Sequence, residues 1–172
     1  MTKQKTRLVL WTGAKHSGKT TGLFALVNIF RERGLVVAGF LAPAIYEDER
    51  LTGFEGLDLG TGRRCQLATR SCKHAPFIFT DDGRELGRQA LSHAAYHGAD
   101  VVVVDEFGPY EFAGDGWRPQ VDLLLRQIAI PIILVVRNTL IEDVRKLYKD
   151  LNPIAIKANE KDASDLMLRI LF

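Results

Sequence analysis

Cysteine is scarce in this chain: Cys65 and Cys72 are the only two among 172 residues. Two thiols are too few for a four-ligand zinc site, and they do not make the disulfide framework of a small secreted protein. An excess of either charge is also lacking, with 23 lysines and arginines against 21 acids and a net charge of +2. No broad basic field therefore argues for nucleic acid. No uninterrupted apolar run approaches the roughly 20 residues needed to cross a bilayer. The opening MTKQKTRLVLW contains only four apolar residues in a row, short of a signal-peptide core. His74, His93 and His97 lack metal-ligand spacing to acids or cysteines and read as surface or packing residues. The expectation is a cytoplasmic protein with no membrane and no nucleic-acid partner.

What is present is an ordinary globular composition, 47% apolar and 26% charged, without an internal repeat, low-complexity tract or linker. At this length one domain, residues 1–172, is expected. Leu8 to Trp11 is a fully apolar run closed by Thr12 and Gly13, which reads as a strand buried on both faces. A helix is expected from Thr20 to Arg33, stopped by Gly34. Val36 to Ile45 reads as extended. Residues 46–79 read as a mostly β insertion with a hairpin at its Gly-Thr-Gly turn. Helices are expected over Arg84–His97, Gln120–Ile128, Leu140–Leu151 and Lys161–Leu171, and strands over VVVV at 101–104, IPIILVV at 130–136 and Ile154–Ile156. Strands alternating with helices imply a mostly parallel sheet covered on both faces, a three-layer α/β/α sandwich of the P-loop NTPase kind with a small β-hairpin insertion.

The segment GAKHSGKTT, residues 13–21, stands between the first strand and the first helix. Gly13, Gly18, Lys19 and Thr20 meet the pattern G-x-x-x-x-G-K-[ST]. A chain of this length meets it by chance on the order of once in a few hundred sequences. Glycines let backbone N–H groups converge on phosphate oxygens where a Cβ would obstruct. Lys19 would neutralise the β- and γ-phosphates, Thr20 would ligate Mg²⁺, and the helix N-terminus would face the phosphates. Lys15 and His16 occupy variable loop positions, where solvated side chains are expected.

Such a loop requires an acid from another strand to hold Mg²⁺, and VVVVDE supplies it. Asp105 is expected as the magnesium carboxylate, and Glu106 as the base or orienting group for an attacking water. A glutamate in that place favours hydrolysis over transfer. No Asn-Lys-x-Asp motif for guanine is present, so base discrimination is expected to be loose. Arg137 ends a strand on the edge where open α/β sheets bind ligands. It is a candidate for contact with the γ-phosphate or base, and a solvated strand-end arginine is the alternative. Arg63 and Arg64 invite the same thought but read as ordinary turn arginines.

DEFGPYEFAGDGW at 105–117, together with GAKHSGKTT and GFLAP at 39–43, resembles the small nucleoside-triphosphatase family of THEP type, which includes the cancer-related nucleoside-triphosphatase of animals. The resemblance runs from about Leu8 to about Tyr148. It implies a Mg²⁺-dependent enzyme that slowly hydrolyses ATP, GTP, CTP, UTP and similar nucleotides to diphosphate and phosphate. By position it assigns Gly13, Ala14, Lys15, His16, Ser17, Gly18, Lys19, Thr20 and Thr21 to phosphate binding. Asp105 and Glu106 take the magnesium and water roles. Phe107 replaces the isoleucine of the family's Asp-Glu-Ile-Gly, Gly108 and Glu111 match, and Glu111 is a candidate for ordering the loop. The segment GDGWRPQ departs from the family with an extra glycine-rich turn.

Two other functions fit the same loop. One is a nucleotide-dependent switch or accessory protein, similar to the P-loop proteins of molybdenum-cofactor assembly, with residues 46–79 serving a protein partner. The other, ranked lower, is a small-molecule kinase.

Overall fold

A computed structural model describes residues 8–14, 17–92 and 96–172. Its elements run β1 (Leu8–Gly13), α1 (Lys19–Glu32), β2 (Val37–Leu41), β3 (Ala44–Glu47), β4 (Arg50–Asp58), β5 (Arg64–Thr69), β6 (Ile78–Phe79) and α2 (Asp81–Ala90), then β7 (Val101–Phe107), α3 (Pro109–Phe112), α4 (Arg118–Gln127), β8 (Ile132–Arg137), α5 (Ile141–Leu147), β9 (Ile154–Lys157) and α6 (Ala163–Leu171). The strands form one sheet in the order β6-β5-β4-β2-β7-β8-β1-β9, with β3 paired to β4. Strands β2, β7, β8, β1 and β9 are parallel, and β3 to β6 extend the sheet antiparallel. The α/β architecture expected of the sequence is therefore what the chain adopts.

The apolar strands read as doubly buried because side chains alternate between two cores. Val9, Trp11, Val101, Val103, Ile133 and Val135 face α1 and α6. Leu8, Leu10, Val102, Val104, Leu134 and Val136 face the layer of α2, α4 and α5. Gly39, at φ +115°, lets β2 approach β7; a Cβ there would stand 1.9 Å from the Val103 carbonyl oxygen. No helix among the described residues is long and apolar enough to cross a membrane.

Segment 46–79 contains the expected hairpin, β4 and β5, whose turn is tied by Asp58. Its carboxylate accepts from Gly60 N at 2.8 Å and from the Thr61 hydroxyl at 2.7 Å. Because β4 pairs with β2 at Phe40–Asp58 and Leu41–Leu57, the hairpin continues the main sheet. The extended run expected from Val36 to Ile45 breaks after Leu41, and β3 begins at Ala44, just beyond Pro43.

Helix limits differ more. The helix expected over Arg84–His97 spans Asp81–Ala90, started by Thr80, whose hydroxyl accepts from Gly83 N at 2.9 Å. His93 falls outside the described residues, and His97 is exposed. The helix expected over Leu140–Leu151 is α5 flanked by single 3-10 turns at Asn138–Leu140 and Lys149–Leu151.

Candidate active site

The carboxyl ends of β1, β7 and β8 meet at one edge of the sheet, and α1 begins there. Trp11, buried at the end of β1, donates its indole Nε1 to the Lys19 carbonyl at 3.1 Å and so ties the strand to the first turn of the helix. Gly18 precedes α1 in the left-handed conformation, φ 78°. Ser17 N donates to the Ala14 carbonyl at 3.2 Å, and Lys19 Nζ reaches the same oxygen at 2.7 Å. A Cβ on Gly13 would stand 2.5 Å from the Ser17 hydroxyl, which would have to turn aside to admit it. Thr21 is exposed on α1, and Lys15 and His16 lie outside the described residues.

Asp105 is fully buried at the end of β7. One carboxylate oxygen accepts from the Thr20 hydroxyl at 3.2 Å and from Ala42 N at 3.1 Å, and the other accepts from Glu106 N at 3.0 Å. Burial, reinforced by repulsion from Glu106, pushes its carboxyl up to about 6 against the pull of those donors. The two segments singled out in the sequence are thus joined by a hydrogen bond across 85 positions.

Glu106 occupies a β-bulge. Val104 pairs with Leu134 and Phe107 with Val136, so Asp105 and Glu106 together oppose Val135. The extra residue takes a left-handed backbone, φ 66°. The bulge keeps Asp105 on the α1 side while returning Phe107 to the opposite core. Bulges commonly re-aim side chains beside active sites. Glu106 is half-buried. Its charge is the leading influence holding the Lys19 ammonium up, although desolvation is larger and leaves Lys19 below its ordinary value.

Glu111 is buried and accepts from Gly108 N at 3.0 Å, its side chain reaching back from the first turn of α3, the short helix after the acidic segment. Burial raises its pKa, opposed by that donor. It braces the chain immediately beyond Glu106. Arg137 is exposed at the end of β8, paired in register with Gly13. Arg63 donates to Gln89 on α2 and Arg64 pairs with Glu55 on β4, so both turn arginines are engaged locally. Sequence reasoning missed Trp11 and Ala42. A tryptophan directly before a phosphate-binding pattern was a usable signal, whereas Ala42 contributes only its backbone N–H and left none.

A family model described as NTPase matches residues 8–170. The chain belongs to this nucleoside-triphosphatase family. The match runs past Tyr148, near which the resemblance seen in the sequence ends, and takes in β9 and most of α6. The nucleoside-triphosphatase THEP1 of Methanopyrus kandleri is 31% identical over 95% of this chain and 92% of its own. That of Methanothermobacter thermautotrophicus is 28% identical over 95% and 93%. Two solved structures share the fold: a human cancer-related nucleoside triphosphatase (TM-score 0.70, 23% identity, 96% and 95% coverage) and THEP1 from Aquifex aeolicus (TM-score 0.70, 19% identity, 95% and 98% coverage). The family member described here is accordingly a nucleoside-triphosphatase.

The donors present suit a hard divalent cation. No cluster of three or more histidines, cysteines, aspartates or glutamates gathers among the described residues. A single carboxylate beside a hydroxyl, Asp105 with Thr20, is the sparse oxygen set that Mg²⁺ accepts when phosphates and waters complete its shell. Among the described residues, none of the three donors to Asp105 is a basic side chain.

Proposed function

We propose that this triphosphatase is Mg²⁺-dependent, hydrolyses ATP, GTP, CTP and UTP to the diphosphate and phosphate, and discriminates weakly among bases. The observation that carries the reading is the 3.2 Å hydrogen bond between Thr20 and Asp105 at the mouth of the phosphate-binding loop, with Glu106 on the adjoining bulge. Thr20 and Asp105 would hold the cation. When bound, it supplies neutralisation of charge on the β- and γ-phosphates.

Lys19, now hydrogen-bonded to Ala14, exchanges that carbonyl for phosphate oxygens. Gly13, Ala14, Ser17 and Gly18 offer loop backbone to the phosphates. Glu106 orients a water for in-line attack and takes up its proton. The water oxygen bonds to the γ-phosphorus while the bond to the β,γ-bridging oxygen breaks. The electron pair leaves with the diphosphate, and the proton on Glu106 passes to solvent with inorganic phosphate. Glu111 supports the loop that carries Glu106. The cytoplasm, with nucleoside triphosphates and no nucleic acid as partners, is the setting this chemistry needs.

Phosphate release measured against the four nucleotides, with and without Mg²⁺, tests the reading. Comparable Mg²⁺-dependent release from all four is expected. Tight nucleotide binding without release would make the protein a switch dependent on a partner, and release from one nucleotide alone would refute loose base use.

A further inference from the structure

Strand β8 lies between the strand that feeds the phosphate loop and the strand that carries the two acids. Its residues alternate between the two cores: Ile132, Leu134 and Val136 on one side, Ile133 and Val135 on the side of α1. The next residue, Arg137, falls by the same alternation on the α1 side, where the loop opens. It is level with Gly13 on one neighbour, and the residue before it is level with Phe107 on the other.

Among the described residues the Arg137 side chain makes no hydrogen bond or ion pair, and the residue is exposed. Four other arginines are committed, Arg63 to Gln89, Arg64 to Glu55, Arg70 to the Leu51 carbonyl and Arg118 to Asp122, and what sets Arg137 apart is its place at the end of β8. Lys157 also ends a strand at this edge, but β9 is on the far side of β1 from Glu106. A free planar cation between the phosphate loop and the acidic bulge is what a reaction that spreads charge over γ-phosphoryl oxygens requires.

We propose that Arg137 is a catalytic residue, a guanidinium supplied from within the chain that meets the γ-phosphoryl oxygens as the bond to the bridging oxygen breaks. The proposal rests on the triphosphatase reading above. Arg137 adds no bond and moves no proton. It lowers the barrier by pairing with oxygens whose charge grows between substrate and transition state, and it leaves diphosphate binding nearly untouched.

Arg137→Ala and Arg137→Lys would be compared with wild type for kcat, KM, nucleoside-diphosphate affinity and capture of diphosphate with Mg²⁺ and aluminium fluoride. For the alanine variant, kcat falls about a hundred-fold or more, while KM and diphosphate affinity stay within about three-fold. The fluoride complex fails to form, and lysine restores part of kcat only, being a point charge rather than a fork. Because Arg137 is exposed, its melting temperature stays at the wild-type value. An unchanged kcat overturns the proposal, and so does a loss confined to KM and diphosphate affinity, which would make Arg137 a ground-state contact. Wild type that releases no phosphate would sink the triphosphatase reading itself, whereas active wild type with an equally active alanine variant sinks only the role of Arg137.

Discussion

Glu106 holds a left-handed backbone, φ 66°, that side chains with a Cβ adopt at a cost of about 1 kcal/mol or more. Glu106→Gly and Glu106→Ala both delete the carboxylate, so their difference isolates the backbone. Glycine should be the more stable by about 1 kcal/mol in chemical denaturation, the reverse of an ordinary strand position. Alanine equal to or better than glycine would mean that the bulge is unstrained. Asp105 gives a pH signature. Its carboxyl is raised from 3.8 to about 6, so the native state binds a proton more tightly than the unfolded chain. The resulting stability is complete below about pH 4 and is lost as pH rises through about 6, roughly 3 kcal/mol in all. Nucleotide-free wild type should lose stability across that window, and Asp105→Asn should not; parallel curves would contradict the burial of an unpaired carboxyl. The meeting of Thr20 with Asp105 was legible in the sequence, because the chemistry proposed for them needs particular side chains at fixed spacing. The strain at Glu106 was not, since it arises from pairing two residues of β7 against one of β8.

At the scale of elements, the bulge depends on β7 being locked on both flanks, by β2 and β8. Gly39 fixes the first of these contacts. Gly39→Ala should destabilise the protein by at least about 3 kcal/mol, because the obstructing Val103 oxygen belongs to backbone that cannot turn aside. A loss under about 1 kcal/mol would show that β2 can shift and that its hold on β7 is loose. The five parallel strands could be read beforehand because runs such as VVVV leave no polar face. Helix limits could not, because they are set by caps: Thr80 starts α2 three residues before the expected Arg84, and Glu111 creates α3 out of a segment that reads as loop. That β4 would join β2 rather than stand apart was also hidden, since the pairing is between segments distant in sequence.

For the whole molecule, two cores on either face of one sheet hold its edge still, and the residues proposed to handle phosphate gather at that edge. The sheet brings Gly13, Asp105 and Arg137 from three neighbouring strands, and α1 adds Lys19 and Thr20. Family membership rests on almost the full chain, and the division of labour within the site rests on this geometry. The central claim is that Glu106 acts on water and takes no part in holding nucleotide. Single-turnover phosphate release from Mg²⁺-ATP tests it most directly, with wild type beside Glu106→Gln and bound nucleotide measured on the same samples. The account predicts that the variant binds ATP as wild type does and releases phosphate about a hundred-fold more slowly or worse. Release at the wild-type rate from fully bound Glu106→Gln would contradict it.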